Sequence, residues 1–167
     1  KYFRIYEKLA TDSMHLNDTY FRIADCFFMN QEYSLSENYY AKAISFSLFD
    51  TDYAIYKRSV ALGLVGKNTS KVKSLKLLIS DFLASTYYDN ALYDLARYYK
   101  NTSKNDLAIT YYDKLLSETN DQQFIADARL SKGMIYFSGN KVEEAIIEFL
   151  FVVNNFQQTI YFKEALS

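Results

Sequence analysis

The sequence predicts an all-α fold, an α-solenoid in which antiparallel helix pairs stack one behind the next. Three observations point there. Proline is absent and glycine occurs only 4 times in 167 residues, so the punctuation that hairpins and β-sandwiches need is missing. Half of the residues are apolar and 23% are charged, which suits a core of ordinary size and argues against disorder. Small side chains recur on a long period: Ala54, Ala91, Ala128 and Ala165 stand 37 residues apart each time, a spacing suited to a two-helix unit.

Further columns run in the same register. Small residues fall at Ala24, Ser59, Ala96 and Gly133, and three residues later come Phe27, Leu62, Tyr99 and Tyr136. A second set reads Ser36, Lys71, Ala108 and Ala145; four residues on stand Tyr40, Leu75, Tyr112 and Phe149, followed by Ala43, Leu78, Leu115 and Val152. Residues three and four apart share a helix face. Each unit therefore reads as a helix A followed by a helix B, small residues marking where the two approach and large ones filling the neighbouring gap. In order, residues 2–11 close a preceding unit. Helices follow at 17–30 and 33–48, 52–66 and 69–83, 87–101 and 104–118, 122–138 and 141–156, and 159–166 opens a further helix A. The units themselves span 1–14, 17–50, 52–86, 87–121, 122–158 and 159–167. The turns Gly66-Lys67-Asn68, Lys100-Asn101-Thr102-Ser103 and Gly139-Asn140 offer Asn, Ser or Thr to cap the next helix B.

These columns resemble the tetratricopeptide repeat, in which a small residue and an aromatic on helix A precede an Ala and a further aromatic on helix B. The resemblance covers nearly the whole chain and implies a right-handed superhelical α-solenoid of about four repeats, with partial repeats at both ends. The sequence departs from the family in three ways, one being Lys71 in place of the helix-B Ala in the second repeat. The leading columns, Tyr20, Ile55, Leu92, Arg129 and Ile23, Arg58, Leu95, Lys132, put basic residues where the family has apolar ones, so their stems are expected along the core edge with the charges in water. The proline that closes a repeat is replaced by Leu48, Leu83, Asn120 and Gln157, which leaves the inter-repeat turns less pinned. End repeats need polar caps. A chain that starts and stops within a repeat is thus expected to continue in a longer parent, the alternatives being terminal helices folded over the exposed faces or end-to-end self-association.

Little in the composition points to chemistry. With 19 basic against 20 acidic residues there is no electrostatic footprint for nucleic acid or an anionic membrane. No apolar run approaches the ~20 residues of a membrane span, and Lys1 opens directly into helix-like sequence without a signal peptide. His15, the single histidine, is read as a loop or cap residue, which leaves no His-rich metal site or triad. Cys26 cannot form an internal disulfide and is read as a small buried thiol on the apolar face of the first helix A. Glu143, Glu144 and Glu148, and likewise Lys71, Lys73 and Lys76, are read as solvated outer strips. The sequons at Asn17, Asn68 and Asn101 are read as capping turns. No phosphate loop or paired acid is present, so neither a cofactor nor an enzymatic activity is expected.

The 17 Tyr and 13 Phe must knit helices together or line a binding face. The resemblance implies that the A helices line the inside of the superhelix, placing Phe21, Arg22, Asp25, Phe28 and Met29 of the first repeat there, then Tyr53, Tyr56, Lys57, Val60 and Leu64. The third repeat offers Asn90, Tyr93, Asp94, Arg97, Lys100 and Asn101, and the fourth Asp127, Leu130, Met134 and Phe137. Aromatics with scattered Arg and Lys have the composition of binding hot spots, and an extended peptide or a helix would fit such a groove. Tyr56, Tyr93 and Arg97 are the leading candidates; the competing reading is that the large residues pack against the next repeat. A carboxylate clamp of the chaperone-binding kind is not expected, because Phe21 and Asp25 occupy its first pair of positions and Asp94 faces the third repeat. The long period and the tyrosines are similar to bacterial cell-envelope members of the family, which implies the periplasm or envelope rather than the cytoplasm. A non-catalytic module that binds a protein or peptide partner is the expected function; the alternative is a structural spacer that contacts neighbours through its edges and ends.

Overall fold

The computed structural model describes residues 12–157 and 160–166. The described chain is helical throughout: α1 (Ser13–Met29), α2 (Tyr33–Phe46), α3 (Thr51–Leu64), α4 (Asn68–Asp81), α5 (Tyr88–Asn101), α6 (Asn105–Glu118), α7 (Gln122–Ser138), α8 (Val142–Asn155) and α9 (Ile160–Leu166). It divides into two compact units with the boundary after Ala91. In the first, α1 to α4 pack in sequence, each on the next; in the second, α6, α7, α8 and α9 do the same. Tyr99 of α5 stacks on Tyr111 of α6, ring centroids 5.5 Å apart, within the second unit. The helix expected at residues 2–11 lies outside the described residues.

The repeating columns form the cores. Ala24, Tyr40, Ala54, Leu75 and Leu78 are fully buried in the first unit, and Leu95, Ala96, Ala108, Tyr112, Leu115 and Ala128 in the second. Gly133 shows why one column holds only small residues. A Cβ there would overlap the ring of Phe149, whose Cδ1 would lie 2.7 Å away. Gly133→Ala gains about 1 kcal/mol of helix propensity but meets an overpacking cost of about 1–3 kcal/mol, so a small net destabilisation is expected. In a Phe149→Ala background the same substitution becomes stabilising. Urea midpoints of the four combinations check this.

Each A–B turn is closed by one backbone device. Gln31, Gly66, Ser103 and Asn140 sit in the left-handed region, with φ of 61°, 76°, 56° and 59°. The next N–H reaches back five residues: Glu32 donates to Phe27 O, Lys67 to Leu62 O, Lys104 to Tyr99 O and Lys141 to Tyr136 O, at 2.8–2.9 Å. These are Schellman closures, and the accepting carbonyls belong to one of the apolar columns. The expected Asn, Ser and Thr caps on the B helices are therefore corrected. The N-cap positions fall on Glu32, Lys67, Lys104 and Lys141, none of which makes a side-chain cap bond. Lysine has no acceptor to offer, and the backbone N–H is already engaged.

Inter-repeat turns without proline are held by side chains. Ser85 donates its hydroxyl to Asp52 at 2.6 Å and accepts from Tyr87 N at 3.0 Å. Asp121 accepts from Gln123 N at 2.8 Å and so caps α7. Asp12 accepts from Met14 N at 3.0 Å, which starts α1 four residues before the expected 17. His15 lies in that first turn, Nδ1 2.8 Å from Asp12 Oδ2.

Four further expectations are overturned. Cys26 is exposed, because it continues the i, i+4 solvent stripe of Asp18 and Arg22 on α1. Asn17 is fully buried inside α1 rather than capping a turn. Lys132 does not lie with its charge in water: its side chain is 8% exposed and Nζ sits 2.6 Å from Asp113 and 2.7 Å from Glu148. Glu148 accordingly leaves the solvated strip assigned to it, since it is buried and also accepts from Arg129 at 3.0 Å. Carboxylate and ammonium are drawn inward together because each supplies the partner the other needs away from water. Arg58 is drawn in the same way toward the buried Glu37, with Nε 3.4 Å from Oε2, and Lys67 Nζ lies 2.7 Å from Oε1.

Candidate partner-binding faces of the A helices

In the first unit most A-helix candidates are engaged with one another. Tyr53 donates its hydroxyl to Asp25 Oδ1 at 2.7 Å, and Tyr40 of α2 donates to the same oxygen. Burial and then the Asp25 carboxylate push the Tyr53 phenol up to about 12 and raise that of Tyr40 still further, so both remain neutral donors near pH 7. Phe21 is buried, stacked on Phe49 with centroids 5.8 Å apart. Lys57 holds its ammonium 4.1 Å from the ring centroid of Phe28, a cation–π contact between α3 and α1. Tyr56 stacks on Tyr87 at 5.2 Å. Arg22, Met29 and Leu64 are exposed, Arg22 bonding Asp18 at 3.3 Å.

A cleft of about 390 Å³ opens beside these residues. Asp18, Phe21, Arg22 and Asp25 of α1 line one side, with Asp52 and Tyr53 of α3. Phe49, Asp50, Thr86 and Tyr87 of the inter-repeat turns complete it. Sequence reasoning confined to A-helix positions missed those turn residues. The signal was present in Phe49-Asp50-Thr51-Asp52, two carboxylates and an aromatic packed into a helix start.

In the second unit Tyr93 donates to Asp127 across α5 and α7, and its ring packs on Phe124 at 5.2 Å. Burial and the Asp127 carboxylate raise the Tyr93 phenol. Lys100 donates to Ser131 Oγ at 3.0 Å, and burial pulls its pKa down despite Asp127 nearby. Leu130 is buried and Asp94 partly so, as is Asn90 at the end of the first unit. What remains presented are Arg97, whose guanidinium lies 5.4 Å from the Tyr93 ring, Asn101, Met134 and Phe137. Phe137 is 65% exposed, a large value for an aromatic.

Among the described residues no group of three or more His, Cys, Asp or Glu is placed to hold a metal, and no helix is long and apolar enough to cross a membrane.

Residues 89–122 match the family model described as tetratricopeptide repeat. Solved structures share the fold over nearly all of this chain. MamA is 20% identical, with a TM-score of 0.70 over 98% of this chain and 84% of its own. The chain has the fold of a tetratricopeptide-repeat solenoid. PilW, a widely conserved type IV pilus biogenesis factor, is similar to it at 19% identity and a TM-score of 0.73, covering 99% and 72% of the two chains. The C-terminal part of a tetratricopeptide repeat-containing protein from Cytophaga hutchinsonii aligns at 17% identity and a TM-score of 0.75, with 98% of this chain but 62% of that one covered. No curated protein matches the sequence. At these identities the tetratricopeptide likeness describes the fold and not the function.

Proposed function

We propose that this tetratricopeptide array is a non-catalytic interaction module that binds a protein or peptide partner through the A-helix positions left exposed in each unit. One observation carries the reading. Tyr53, Lys57, Tyr93 and Lys100 are engaged between successive A helices, whereas Arg97, Met134 and Phe137 make an exposed cationic and apolar set on the candidate face. Arginine and aromatic residues with accessible surface are the usual anchors of protein interfaces. In this reading Tyr56 and Tyr93 shape the face, and Arg97 contacts the partner.

The test is quantitative affinity capture from the native cell with the full-length protein, comparing the parent with Arg97→Ala/Met134→Ala/Phe137→Ala. At least a tenfold loss of the same partners is expected, with the circular dichroism spectrum unchanged. Retained capture would overturn the reading.

A second reading, a spacer or scaffold that meets neighbours through its outer face, is favoured by α8. Ile147 and Leu150 are 64% and 52% exposed, in columns that carry Asn38, Lys73, Thr110 and Ala41, Lys76, Asp113 in the earlier repeats. Under that reading Ile147→Lys/Leu150→Lys abolishes capture and the A-helix variant leaves it intact.

A further inference from the structure

We propose that the cleft of the first unit receives an arginine side chain of the partner. The inference rests on the preceding reading that the A-helix faces bind a partner protein, and it names what one subsite recognises. The cleft's volume of about 390 Å³ falls within the range of about 300–1,000 Å³ typical of small-ligand pockets.

Its walls are aromatic. Phe21 and Phe49 stack at 5.8 Å, and Tyr53 approaches Tyr87 at 5.7 Å. Its charge is unbalanced: among the described residues Asp18, Asp25, Asp50 and Asp52 stand against a single lining cation, Arg22, which is exposed and bonded to Asp18. The partners of the other carboxylates are neutral. Asp25 accepts two phenols on one oxygen, Oδ1, and Asp52 accepts the Ser85 hydroxyl on Oδ2. Asp50 makes no cap bond to α3.

The carboxylates are too dispersed to form a metal cage, since no three acidic groups among the described residues are placed to hold an ion. A bulky organic cation fits that dispersion better than a metal does. Guanidinium suits it in two ways: its planar face stacks on tyrosine and phenylalanine, and its edge donates to two carboxylate oxygens at once. Lysine's compact, strongly hydrated ammonium gains less from flat walls. The same pairing occurs within the protein, where Arg129 lies 4.5 Å from the Phe151 ring centroid while donating to Glu148.

The experiment titrates the isotope-labelled full chain with N-acetyl-arginine amide, following the backbone amides of Phe21, Tyr53 and Tyr87 by NMR. The controls are N-acetyl-citrulline amide, a neutral isostere, and N-acetyl-lysine amide. Saturable shifts confined to the cleft are expected for arginine, weaker ones for lysine and none for citrulline. Asp18→Asn/Asp50→Asn, two exposed positions, is expected to raise the arginine dissociation constant at least threefold, and 0.5 M salt to raise it further. Equal shifts with citrulline, lysine binding as tight as arginine, or an unchanged constant in the double variant would each overturn the proposal. The Arg97, Met134 and Phe137 substitutions lie in the other unit and should leave this titration as it is. A failed arginine titration and a failed partner capture are thus separate results.

Discussion

Replacing Glu148 with Ala is expected to destabilise the second unit by about 3–5 kcal/mol, the cost of breaking a buried ion pair from one side. The magnitude depends on burial. An exposed pair contributes about 0–1 kcal/mol, but the side chains of Lys132 and Glu148 are 8% and 6% exposed. Without the Glu148 carboxylate, Lys132 keeps only Asp113, which is 54% exposed, and Arg129 loses its acceptor. Replacing both members, Lys132→Leu/Glu148→Leu, is expected to recover part of the loss, because the buried ammonium leaves with its partner and only Arg129, 29% exposed, is left without its acceptor. Urea midpoints followed by circular dichroism report both outcomes. Alkaline pH provides an independent check. Burial pulls the Lys132 ammonium down, but its bonds to Asp113 and Glu148 outweigh burial and hold the pKa above the ordinary 10.5. A pKa raised on folding contributes stability below the unfolded value that is lost as pH climbs through the folded one. The parent should therefore weaken above pH 10.5, and Glu148→Ala should show less of that dependence.

Tyr40→Phe and Tyr112→Phe are expected to differ although the two tyrosines occupy one column and both are fully buried. Tyr40 donates to the Asp25 carboxylate. Losing a hydrogen bond to a charged acceptor costs about 1.5–3 kcal/mol. The Tyr112 hydroxyl is buried without a hydrogen bond, with Ser131 nearby but not in bonding geometry. Removing an unsatisfied polar atom relieves a desolvation cost, so Tyr112→Phe should be neutral or stabilising. The pH profile separates the two again. Burial first, then Asp25, raises the Tyr40 phenol above its ordinary 10. Its stabilisation is complete below pH 10 and falls as the unfolded chain ionises above it. Tyr40→Phe should flatten that decline, which thermal melts between pH 9 and 11 would detect.

Much of the fold was legible in the sequence because its signal is periodic. The Ala54, Ala91 and Ala128 column and the Tyr40, Leu75 and Tyr112 column predicted which faces are buried, and the expected helix ends of the A–B pairs fall close to the observed ones. The start of α1 was missed because Asp12 caps one turn before the apolar pattern begins. Candidate site residues were legible as positions but not as roles. Arg97, Met134 and Phe137 are exposed as a binding face requires, whereas Tyr93 and Lys57 proved to be ties between neighbouring A helices.

The sequence by itself determined the helical class, the pairing and the period, since side-chain size repeated at fixed spacing admits one way of nesting successive helices. Only the tertiary structure decided which polar groups meet. Lys132 with Glu148, Asp25 with two tyrosines and the acidic aromatic cleft join residues from different helices and turns. A charge is buried or solvated according to the partner within about 3 Å of it. That partner sits 15 to 30 positions away along the chain, where no local pattern registers it.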